Sequence, residues 1–154
     1  MHDIAIRFGE IMTAAGLMAV AAAAASQATA AGALAIGEPK HIEKRGLAIG
    51  TAYNAGSGDA AEAGALKRCL EFRDAPPDTR ALCKVVKTFE NQCSSTALDP
   101  KAGTPGFGWA IMDKRADAEA AAMDNCRRTA GSRRVKFCKV VTSECDEPNP
   151  PTAK

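Results

Sequence analysis

The chain has 154 residues, enough for one domain with little left for a second. Twenty Lys and Arg stand against eighteen Asp and Glu, a net charge of +2, far from the concentrated basic face of a nucleic-acid-binding domain. The six cysteines include no Cys-x-x-Cys pair, and neither histidine, His2 or His41, lies beside a cysteine. The spacing of a zinc site is therefore missing, structural disulfides are the expected use, and no metal or cofactor is expected.

Residues 1–30 read as a signal peptide: Ile11 to Ala25 carries no charge, and Ala28-Thr29-Ala30 is a small-residue cleavage pattern. The run is mostly alanine and short for a membrane span, which needs about 20 strongly apolar residues. Without this leader nineteen basic residues remain against sixteen acidic ones. Residues 31–45 hold no periodicity and are interrupted by Gly32, Gly37 and Pro39, so a flexible linker is expected, with His41 solvated among Lys40, Lys44 and Arg45.

The sequence places a single domain at 46–145. Leu47–Tyr53 is a short β-prone run closed by the turn material Asn54–Gly58. Asp59 followed by Glu62 predicts an N-cap and a helix to about Leu70, with Ala63, Leu66, Cys69 and Leu70 as its apolar stripe. Pro76 and Pro77 end helical tendency, and Leu82 to Asn91 reads as a strand burying Val85, Val86 and Phe89. Ser95–Leu98 and Phe107–Ile111 are spaced to pair as a hairpin. A second helix follows over roughly 116–127, with Ala120, Met123 and Cys126 as its stripe. Residues 146–154, rich in proline, read as a disordered tail.

Cys-Lys-Val-Val occurs twice, at Cys83–Val86 and Cys138–Val141, each after an alanine-rich helix ending in cysteine, Cys69 or Cys126, and each before one more cysteine, Cys93 or Cys145. One constant offset places Glu62 on Glu119, Leu66 on Met123 and Cys69 on Cys126. The domain therefore reads as two tandem β-α-β-like repeats, 46–93 and 94–145, an α+β fold with helices on an antiparallel sheet. Six cysteines allow fifteen pairings. The simplest scheme that treats both repeats alike joins Cys69 to Cys83 and Cys126 to Cys138, and leaves Cys93–Cys145 to tie the repeats together. Closing loops of this size contributes about 3 kcal/mol each in the chain-entropy model.

Gly108-Trp109-Ala110 before a helix containing Ala118-Glu119-Ala120 and ending in Cys126, then Cys138-Lys139-Val140-Val141 and Cys145, resembles a secreted bacterial family, domain of unknown function 4189. The resemblance covers Gly46 to Cys145. The first repeat departs from it: the glycine-aromatic strand before its helix is shortened, and only Tyr53 stands nearby. Membership implies export and a disulfide-linked α+β domain, and it names no catalytic residue.

Candidate chemistry is sparse. A nucleophile–base pair needs a histidine near a Ser or Cys, and His41 is the only histidine after the leader. Cys69 and Cys126 end their helices, whereas reactive thiols favour helix N-termini. Glu62 and Glu119 occupy first-turn positions, where the helix dipole and capping already account for acids. Arg127, Arg128, Arg133, Arg134 and Lys136 bracket one loop and form the candidate site for an anion or partner, since arginine binds phosphate and carboxylate bidentately. Trp109, the single tryptophan, is assigned to the core. The expected protein is secreted or periplasmic and non-enzymatic, resembling an inhibitor, immunity factor or effector, and it binds a protein or cell-envelope partner, with no nucleic acid and no membrane anchor after leader cleavage. The competing expectation is a small extracytoplasmic hydrolase using carboxylates.

Overall fold

Each half of the chain follows one path: a central strand, an antiparallel partner, a helix, and a second antiparallel partner on the other side of the centre. The computed structural model describes residues 31–146, so the expected signal peptide and residues 147–154 lie outside the described residues. The first half contains β1 (Ala31–Gly37), β2 (Ala48–Ala55), α2 (Gly58–Leu70) and β3 (Lys84–Phe89), with short helices α1 (Ile42–Arg45) and α3 (Pro77–Arg80) in the connections. The second contains β4 (Cys93–Leu98), β5 (Phe107–Met112), α4 (Arg115–Ala130) and β6 (Lys139–Cys145), with a 3-10 turn at Val135–Phe137. The two sheets have the orders β2-β1-β3 and β5-β4-β6.

The halves agree residue by residue in register. Ala35 lies opposite Gly50 and Val85, just as Ala97 lies opposite Gly108 and Val140. Ile36 lies opposite Ile49 and Lys84, as Leu98 does opposite Phe107 and Lys139. Each Cys-Lys-Val-Val strand also pairs irregularly at the same place, between Leu34 and Ala35 in one sheet and between Thr96 and Ala97 in the other.

Strand alternation sorts the core into layers. On β1, Ala31, Ala33 and Ala35 face α2 and pack with Ala61, Ala65 and Cys69. Leu34 and Ile36 point the other way, into a cluster with Ile49, Val86, Leu98, Phe107, Trp109 and Ile111 drawn from both sheets. Ala97 and Ala110 face α4 against Ala122, Cys126 and Ala130. The order is thus helix, sheet, sheet, helix, with the larger side chains between the sheets and alanines beneath the helices.

Small residues let each helix lie almost on its sheet. A Cβ at Gly50 would stand 2.2 Å from the Ala65 carbonyl oxygen and 2.3 Å from the Cys69 nitrogen. A Cβ at Gly108 would stand 2.4 Å from the Ala122 oxygen and 2.3 Å from the Cys126 nitrogen. Gly50 is therefore the first half's counterpart of Gly108, and its glycine-bearing strand is complete rather than shortened.

Several expectations require correction. Residues 31–45 are no linker: β1 is buried along its whole length and is the central strand of the first sheet. The domain accordingly includes β1, and Cys93 opens the second half instead of closing the first. Ser57, not Asp59, caps α2, its Oγ accepting the Ala60 N–H at 3.2 Å. The buried stripes are Ala61, Ala65, Cys69 and Ala118, Ala122, Cys126, Ala130, whereas Ala63, Leu70 and Ala120 are exposed. Val85 and Val86 are half-buried, and Phe89 is buried.

Disulfides join Cys69 to Cys83, Cys126 to Cys138 and Cys93 to Cys145, the pairs that equal treatment of two repeats implies. The first two pin a helix end to the start of the following edge strand. Cys93 and Cys145, however, lie opposite each other on β4 and β6, so their bridge staples one sheet and does not tie the halves together. The apolar cluster between the sheets joins the halves, with polar contacts beside it: Tyr53 Oη lies 3.3 Å from Ser94 Oγ, and Asp146 accepts the backbone N–H of Asn54 at 2.7 Å and of Asn91 at 3.3 Å. Asp146, expected in the tail, is 1% exposed.

Candidate functional site

A cleft of about 530 Å³ opens where the two halves meet at one end of the sheets. Ile42, Leu47, Ile49 and Phe72 from the first half and Leu98 and Phe107 from the second supply its apolar lining. Glu43, Lys44, Arg45, Asp74 and Lys101 stand around it as charged lining. Its size and apolar character with a few polar groups are those of ligand-binding clefts.

Each wall is fixed by local chemistry. On the first side, the short helix α1 ends at Gly46, whose φ of 69° suits glycine and whose N–H donates to the Ile42 carbonyl at 2.8 Å. Thr79 Oγ1 donates to the Arg45 carbonyl at 2.8 Å, and the Arg45 guanidinium bonds Asp78 at 2.6 Å. That ion pair is exposed on both partners and contributes little by itself. The buried threonine is the firmer tether.

On the second side, Asp99 organises the β4–β5 loop. Its two carboxylate oxygens accept Arg134 Nε and Nη2, each at 2.7 Å, and Oδ1 also accepts the Lys101 N–H at 3.1 Å. The Asp99 N–H donates to the Gly106 carbonyl at 2.9 Å, closing the loop, and Thr104 Oγ1 donates to the Lys101 carbonyl at 2.8 Å. The Arg134 hydrogen bonds are the largest influence on the Asp99 carboxyl. They lower its pKa to about 2, against the opposing push of burial and with help from the Lys101 N–H. Arg134 is in turn held more firmly protonated, chiefly by its hydrogen bonds to Asp99. Gly106 lets the loop close on α4, because a Cβ there would stand 2.9 Å from Asp99 Cβ and 3.0 Å from Ala130 Cβ. Thr129 Oγ1 accepts the Phe107 N–H at 2.9 Å and so ties the start of β5 to the same helix.

The five cations singled out from the sequence do not act as one set. Arg134 is committed to Asp99 and lies over the Phe137 ring at 4.0 Å, so it is withdrawn from the candidate anion site. Arg127 pairs with Asp124 on its own helix at 3.1 Å, and Arg128 donates to Asn125 Oδ1 one turn back. Lys136 Nζ also lies over the Phe137 ring, 5.2 Å from its centroid, and Arg133 is exposed. Glu62 and Glu119 occupy α2 and α4, the two outer layers, and do not face each other across a common site. Trp109 is half-buried and contributes to the cluster between the sheets.

The sequence did not point to this cleft. Phe107 reads as a hairpin strand and Asp99 falls between its two strands, and nothing in a separation of 35 residues signals the Asp99–Arg134 contact. The weak signals were Gly103 and Gly106 around Pro105, which mark an irregular loop.

These features define a disulfide-stapled α+β domain made of two like halves, with an apolar cleft between them. The sequence profile of Domain of unknown function (DUF4189) matches residues 31–145, so the chain belongs to that family, and the match includes β1. No curated protein and no solved structure matches the chain significantly. Three disulfides fit an oxidising, extracytoplasmic setting. Among the described residues no helix is long and apolar enough to cross a membrane.

Proposed function

We propose that this protein is an exported, non-enzymatic interaction protein that grips an apolar side chain of a protein partner in the cleft between its halves. The observation that supports this most is the apolar lining itself: six large hydrophobic side chains from both halves meet beneath an open, charged rim. A cleft lined this way gains affinity by removing a partner's apolar surface from water. The rim then adds orientation, because Lys44 and Lys101 make no ion pair among the described residues and favour an acidic neighbour beside the apolar anchor. Asp99 and Arg134 hold the loop that forms one wall, so the shape exists before the partner arrives, which lowers the cost of ordering on binding.

Selection of peptides from a random displayed library on the oxidised domain tests this reading. The expected result is enrichment of a large apolar residue with an acid nearby. Binding of the selected peptides falls when Ala102→Trp, an exposed position lining the cleft, fills it. Selection of peptides indifferent to Ala102→Trp contradicts the proposal. Export itself is tested by expressing the full chain and finding residues 31 onward outside the cytoplasm, oxidised.

A further inference from the structure

The register repeat between the halves isolates one strand that the fold leaves uncovered. In the first half Val85 packs beside the α2 cluster and Val86 joins the cluster between the sheets. Their counterparts Val140 and Val141 belong to neither layer and are 38% and 46% exposed. Val135 and Phe137, in the turn leading into β6, are also exposed, so four exposed apolar side chains gather at one edge of the second sheet.

The other sheet edges carry devices that discourage pairing with another chain. On β2, Arg68 donates to the Thr51 carbonyl; on β5, Asn125 donates to the Trp109 carbonyl at 2.7 Å and Thr129 occupies the Phe107 N–H. On β3, Lys84, Lys87 and Thr88 are exposed along the strand, whereas on β6 Lys139 matches Lys84 but the uncharged Thr142 stands at the position of Lys87. On β6 the corresponding cap comes from Arg115 to the Ser143 carbonyl, at the far end. No side-chain bond to the backbone of Lys139, Val140 or Val141 occurs among the described residues.

We propose that β6 is the contact of a homodimer, in which two copies pair antiparallel about a twofold axis and join their second sheets into one. The charges along the strand favour a second copy over another partner. Lys139 stands at the start of β6 and Glu144 near its end, both exposed. Antiparallel pairing brings the Lys139 end of each copy to the Glu144 end of the other, so the patch complements itself in charge as well as in apolar surface. Every residue lining the cleft lies outside β6, so dimerisation leaves the cleft open and is independent of its occupant.

The test uses the oxidised protein in sedimentation velocity over a micromolar concentration series, with far-UV circular dichroism and unreduced mass as checks of fold. The parent chain sediments as a dimer, Val141→Arg weakens it by about tenfold or more, and Lys139→Glu and Glu144→Lys each weaken it through two like-charge contacts. Mixing the Lys139→Glu and Glu144→Lys proteins restores a mixed dimer, because each then offers the charge its partner lacks. A monomeric parent, a dimer indifferent to Val141→Arg, or a mixture that stays monomeric overturns the proposal.

Discussion

Replacing Gly50 or Gly108 by alanine is the sharpest perturbation of the two-half architecture. At Gly108 the added methyl would meet the Ala122 oxygen at 2.4 Å, the Cys126 nitrogen at 2.3 Å and Asn125 Cβ at 2.5 Å. Ordinary contact begins near 3.4 Å, and two of these neighbours are helix backbone, so α4 must retreat from the sheet by about 1 Å. A gap of that size costs Ala118, Ala122 and Ala130 a quarter to a half of their dispersion contact with the strands, in addition to the direct overlap. Overpacking in cores of this kind costs about 1–3 kcal/mol. Because Cys126 is tethered to Cys138 at the point of contact, the helix cannot slide away freely, and the upper end of that range applies. A loss of about 3 kcal/mol lowers the melting temperature of a domain this size by roughly 10 °C. Gly50→Ala must produce a similar loss, since its neighbours Ala65 and Cys69 are the register counterparts of Ala122 and Cys126. Gly56→Ala is the control, with nothing within 4 Å. Thermal and urea unfolding of the oxidised proteins measure all three. If Gly50→Ala and Gly108→Ala both unfold within about 0.5 kcal/mol of the control, the close helix–strand approach is refuted.

Further predictions follow from single contacts. Removing the Cys93–Cys145 bridge by paired serine substitution releases a 52-residue separation and costs about 4 kcal/mol, more than the roughly 3 kcal/mol for the shorter Cys126–Cys138 loop, as read from denaturant midpoints. Asp146→Ala strips the acceptor from the Asn54 and Asn91 amides and lowers stability by about 2 kcal/mol, as read by calorimetry against the parent. Asp99 has a pKa depressed to about 2, so its contribution is fully present above the ordinary carboxylate pKa and is lost as pH falls toward 2. Melting temperatures from pH 5 to pH 2 should therefore fall less steeply in Asp99→Asn than in the parent, and parallel curves would contradict the Arg134 clamp.

The halves of the fold differed in how well they could be read. The helices and the Cys-Lys-Val-Val strands were legible because cysteine and valine recur at fixed offsets, and a shared scheme then selected the disulfides. β1 was not, because Ala31-Gly32-Ala33-Leu34-Ala35 has few β-branched residues and stands directly after another alanine-rich stretch. Its alternation is real, but alanine reads the same on either face. The same ambiguity displaced the helix stripes: nothing in an alanine run distinguishes the buried Ala61 and Ala65 from the exposed Ala63. Gly50 and Gly108 were the available clue, since a glycine inside a strand often marks close backbone approach. At the site, the basic loop was visible as a cluster of charge. That Arg134 turns inward was hidden, because its partner Asp99 is brought near only when α4 packs on β4.

The central claim, that the cleft between the halves receives a partner's apolar side chain, is tested most directly by amide chemical-shift mapping of the oxidised domain with a library-selected peptide. The account predicts that the largest shifts fall on Ile42, Leu47, Ile49, Phe72, Lys101 and Phe107, and that Ala102→Trp abolishes them. Shifts confined to Arg127, Arg128, Arg133 and Lys136, with the cleft unmoved, would contradict it.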